Sequence, residues 1–61
     1  MSEFDQLAVK AIYPQAVVVK EITHNVRCEL FTCRDQYAGV FIGPTAFSEE
    51  NAWKWAAERL R

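Results

Sequence analysis

Glycine is scarce in this 61-residue chain, with Gly39 and Gly43 the only two, so no glycine-rich loop is present to cradle a phosphate. Histidine is scarcer still: His24 stands alone between two strand-like runs, without a neighbouring Ser or Cys in a nucleophile setting, and reads as a turn residue. The two cysteines, Cys28 and Cys33, lack the further Cys or His ligands that a four-coordinate zinc site needs. They fall in one expected strand, about 16 Å apart at 3.3 Å per residue, beyond disulfide reach. No apolar run approaches the ~18 residues that span a bilayer, and the opening Met-Ser-Glu-Phe-Asp-Gln has neither the basic nor the apolar region of a secretory signal. Seven basic residues against eight acidic ones give a net charge of −1, which supplies no general pull toward nucleic acid or an anionic membrane. The expectation is a cytoplasmic protein with reduced thiols, without cofactor, metal or membrane contact, and not an enzyme.

What the chain does have is hydrophobic content, 51%, in a length that allows one small domain. Such a domain buries only ~60% of the surface its unfolded chain exposes, so a homodimer is expected to make up the deficit. Ser2 and Asp5 make an approximate capping box before a first helix over Phe4 to Tyr13, which Pro14 ends. Phe4, Leu7, Ala8 and Ala11 share one face of that helix, with Ile12 on its margin. Val17, Val18, Val19 and Ile22 mark a strand over Ala16 to Thr23, His24-Asn25 a turn, and Val26 to Cys33 a second strand. Asp35 supplies turn chemistry before a third strand over Tyr37 to Ile42, which Gly43-Pro44 closes. From Ser48 onward the chain reads as a second, capped helix, with Phe47 placed to staple onto it and Glu49-Glu50 complementing its dipole. The fold class is therefore α+β: a single domain over residues 1 to 61, in α-β-β-β-α order. A three-stranded antiparallel sheet is expected, with both helices packed on one face.

Alternation in the second strand places Val26, Cys28 and Leu30 under the helices and turns Arg27, Glu29, Phe31 and Cys33 outward. In the third strand Ala38, Val40 and Ile42 form the aliphatic set. Arg27, Phe31, Cys33, Tyr37 and Phe41 thus become a candidate self-association face. The same aromatics beside Arg27 also suit base stacking, the less favoured of the two readings because exposed apolar patches usually mark interfaces.

In the last helix Ala52, Ala56, Ala57, Trp53 and Leu60 form a mostly small inner stripe, which demands close approach to whatever it covers. Ser48, Ala52, Ala56, Ala57 and Leu60, about a quarter of the chain in extent, resemble the C-terminal helix of double-stranded-RNA-binding domains, and the expected element order is similar. That resemblance implies an RNA-binding fold, but Glu49 and Glu50 stand where those domains carry lysines, and carboxylates repel the phosphates that binding must neutralise. Trp55 lies off the inner stripe, and with Glu58 and Arg59 it forms a candidate partner-binding surface, tryptophan being enriched among interface hot spots. The reading favoured is a non-enzymatic protein-interaction module with a protein partner, of the size of the inhibitors and accessory factors of phages and other mobile elements. The alternative is a nucleic-acid-binding domain.

Overall fold

The computed structural model describes residues 3–22 and 29–61. The elements run α1 (Glu3–Ile12), β1 (Ala16–Ile22), β2 (Glu29–Asp35) and α2 (Glu49–Leu60). The expected caps and turns at Ser2 and His24-Asn25, and the positions of Val26, Arg27 and Cys28, lie outside the described residues. α1 stops before Pro14, with the Tyr13 amide donating to the Val9 carbonyl at 2.8 Å as its closing bond. β1 and β2 pair antiparallel from Ala16 opposite Asp35 to Ile22 opposite Glu29, so β2 runs two residues further than its apolar pattern suggests.

The sheet has two strands, not three. The segment expected to form the third strand runs beside β2 but pairs with it only at two isolated bridges, Phe31 with Ala46 and Arg34 with Phe41. Thr32 and Cys33 separate these bridges on β2, whereas Ile42, Gly43, Pro44 and Thr45 separate them on the other side, and two surplus residues cannot keep ladder register. Pro44 has no amide hydrogen to donate, and the surplus bulges toward α2. There the position a Gly43 Cβ would occupy lies 2.8 Å from the Ala56 Cα and 2.9 Å from its nitrogen. Gly43 and the small stripe of α2 are thus two sides of one contact. The expected α-β-β-β-α order, and with it the similarity to double-stranded-RNA-binding domains in element order, fails at the same place, since the third strand does not form.

Register also reverses the expected faces. Successive strand residues alternate sides, and directly paired residues share a side. Val18 and Cys33, a cross-strand pair, pack in the core beneath α2, together with Val9, Ala16, Ile42, Trp53, Ala56 and Ala57. Phe31 shares the side of Cys33. Arg34, its partner Val17 and its bridge partner Phe41 lie on the other side, with Val19 and Leu30. Cys33 was expected outside and is fully buried. The reason is sidedness: hydrophobicity alone does not choose between Phe31-Cys33 and Leu30-Thr32, and packing of α2 does.

α2 packs on β2 and β1, while α1 packs mainly on α2. Two strands about 4.8 Å apart make a platform roughly one helix wide, so α2 alone fills it and α1 is displaced sideways. Only Val9 of α1 is buried. Phe4, Leu7 and Ile12, expected to face inward, are 81%, 67% and 56% exposed.

Candidate functional site

The chain enters α2 through an extended residue, Ser48 (φ −148°, ψ 156°), whose hydroxyl oxygen accepts a hydrogen bond from the Asn51 amide at 3.1 Å. Ala52, Ala56 and Ala57 then hold α2 against the loop and sheet so closely that none is more than 1% exposed. This anchoring fixes what the outer side of the helix presents. Asn51 and Trp55, one turn apart, stand over Pro44, Thr45, Ala46 and Phe47, and together they line an open groove of about 370 Å³. Trp55 is 46% exposed and Phe47 78%. Phe47 does not staple onto the helix, because the turn from the Phe31 to Ala46 bridge into Ser48 leaves its ring in solvent.

Of the three residues expected to meet a partner, Trp55 lines this groove, and Arg59 is exposed one turn further along the helix. Glu58, also exposed, instead lines a polar groove of about 490 Å³ between the helices, with Asp5, Glu50, Asn51, Lys54 and Arg61. Arg61 approaches Asp5 at 3.9 Å across its end. Acids and bases alternate there, so the groove has no single sign of charge with which to select a phosphate or a polycation.

Of the five residues expected to form one self-association face, the four that are described are not brought together on one side of the sheet. Arg27 lies outside the described residues. Cys33 is in the core, where burial pushes its thiol from the ordinary 9.0 up to about 11 and so keeps it protonated and unreactive at neutral pH. Phe31 is half-buried on the helix side of the sheet. Phe41 lies on the opposite side, 65% exposed. Tyr37 belongs to neither side: it sits in the turn that Asp35 builds, where the Asp35 carboxylate accepts from the amides of Tyr37 at 2.9 Å and Ala38 at 3.0 Å.

Two exposed apolar features escaped the sequence reading, the Phe47 ring and the outer stripe of α1. A signal for the first was present, since an aromatic next to the helix cap and three residues after Pro44 need not fold back. Among the described residues no group of three His, Cys, Asp or Glu side chains could hold a metal, and no helix is long and apolar enough to cross a membrane. Family models, curated proteins and solved structures all give no match to this chain.

Proposed function

We propose that this protein acts by binding another protein through the Phe47 and Trp55 groove and the adjoining Arg59 flank, without performing chemistry of its own. The observation that supports the reading is the pairing of two large, solvent-exposed aromatics over a groove whose floor is held rigid by a capped helix and a close backbone contact. Rigid aromatic anchors bury much area at little entropic cost when a partner covers them, and tryptophan dominates such hot spots. The groove suits an apolar side chain or short apolar segment of the partner, with Asn51 offering a polar contact at its wall. An inhibitory or accessory role belongs to the same proposal, by association with the small size of the domain alone. A cytosolic setting suits Cys33, a buried free thiol.

Affinity capture from the host with wild-type protein, Trp55→Ala and Phe47→Ala tests this. Each substitution is expected to weaken the captured interaction at least tenfold, as loss of a hot spot above about 1.4 kcal/mol does. A partner held equally well by both variants would overturn the reading. So would binding to oligonucleotides tighter than about 1 µM that collapses as salt rises, the signature of phosphate contacts.

A further inference from the structure

The outer face of α1 is an apolar surface that the fold leaves uncovered. At 100° per residue Phe4, Leu7, Ala8 and Ala11 form a continuous stripe turned away from Val9, the residue that anchors the helix to the core. All four are exposed, and Ile12 extends the edge of the stripe. One flank carries Glu3 and Lys10, which with Gln6 and Leu7 line a shallow groove of about 300 Å³ along the helix. Lys10 is held on this flank by the Trp53 ring, whose centroid lies 5.6 Å from its ammonium, and it remains exposed.

This arrangement is complementary to itself. We infer that α1 is a self-association surface whose occupant is α1 of a second copy of this chain, docked antiparallel across a twofold axis at Leu7. In that arrangement Leu7 meets Leu7 of the second copy, and each Phe4 ring lies against the small Ala8 and Ala11 of the opposite helix, large against small. Charges on one flank of an antiparallel helix pair face the same flank of the partner. Glu3 then comes within one residue, about 1.5 Å of rise, of standing level with Lys10 of the second copy, and the symmetry makes the ion pair twice. A parallel pairing would put this flank of the two copies on opposite sides of the interface, and neither ion pair would form. A ten-residue helix is about 15 Å long and buries less than the roughly 1,200 Å² of a standard stable interface, so the dimer belongs to the weak, exchanging class.

Sedimentation equilibrium of the full chain from about 5 to 500 µM, at low salt and at about 0.5 M, is the test. The expected result is a rise from 7.0 kDa toward twice that mass with concentration, weakened at high salt. Leu7→Glu should give a monomer at every concentration without altering the circular dichroism spectrum, since Leu7 is exposed. Glu3→Lys and Lys10→Glu should each weaken the homodimer at least fivefold. Mixed together they should form a heterodimer tighter than either homodimer, because the mixture restores both opposite-charge pairs. That rescue separates an interface role for Lys10 from its contact with Trp53, which a second chain cannot replace. A wild-type monomer throughout, a dimer indifferent to Leu7→Glu, or a mixture with no heterodimer preference would overturn the proposal. Trp55→Ala tests the groove and is expected to leave self-association unchanged, so the two readings fail separately.

Discussion

α1 and α2 are similar in length and both are amphipathic, yet one hides its apolar side and the other wears it. α2 buries Ala52, Ala56 and Ala57, whose small side chains admit close approach of the Gly43 backbone and the sheet, and sinks Trp53 into the core, whereas α1 offers Phe4 and Leu7 to solvent and anchors through Val9. The difference teaches that an apolar stripe says a helix has a side to cover, and the width of the platform decides whether the domain itself can cover it. Here there is room for one helix. The side left over is where self-association is proposed.

The largest effect that sharpens this contrast is expected at Trp53, 3% exposed and central to the core. Trp53→Ala should cost about 3–5 kcal/mol in chemical denaturation, close to the whole stability of so small a domain. Trp53→Phe should cost far less, under about 1.5 kcal/mol, because it also removes a buried indole N–H that has no hydrogen-bond partner among the described residues.

Gly43→Val comes next. Its new carbons would run into the Ala56 backbone, which cannot rotate away as a side chain can, and a loss of about 2 kcal/mol or more is expected in the same measurement. Stability equal to wild type would mean that the close packing of α2 on the loop is not what holds it.

Alkaline titration probes the same core. The Cys33 thiol ionises near 9.0 when unperturbed but only near about 11 when buried. Above the lower value the unfolded chain releases its proton first and is favoured. The contribution is thus full below pH 9 and lost as pH rises through 11, on the order of 3 kcal/mol in all. Cys33→Ala should lack that part of the pH slope. An equal slope in the variant would show that the thiol is not shielded.

Ser48→Ala, which removes the cap of α2, should cost about 1 kcal/mol by thermal or chemical denaturation. The smallest effect is on the outer side of α1: Phe4→Ser should alter the stability of the monomer by less than about 0.5 kcal/mol, measured at a concentration too low for self-association. A loss comparable to that at Trp53 would erase the distinction between the helices.

Much of this was legible one element at a time. Ser48 followed by Glu49-Glu50 marks the start of α2, Pro14 the end of α1, and Asp35 the turn after β2. In each case a local hydrogen bond or steric rule acts between residues a few positions apart. The third strand was not legible, because Val40, Phe41 and Ile42 have strand character and only the two-residue surplus between the bridges shows that they cannot hold register. The groove was half legible. Trp55 fell off the inner stripe by periodicity, but Phe47 joins it only through the path of the loop. The sides of Phe31, Cys33 and Phe41 were not legible for a third reason: alternation tells which residues share a side of a strand, not which side the helix takes.

By itself the sequence determined two helices, two neighbouring strands that pair antiparallel and the small inner stripe of α2, because propensity, capping and hydrophobic period act between residues a few positions apart. Tertiary structure alone decided that the sheet has two strands, that Cys33 lies inside, and that α1 turns its apolar side outward. Those outcomes depend on which distant segments compete for one narrow face. The Gly43 and Ala56 contact gave that face to α2.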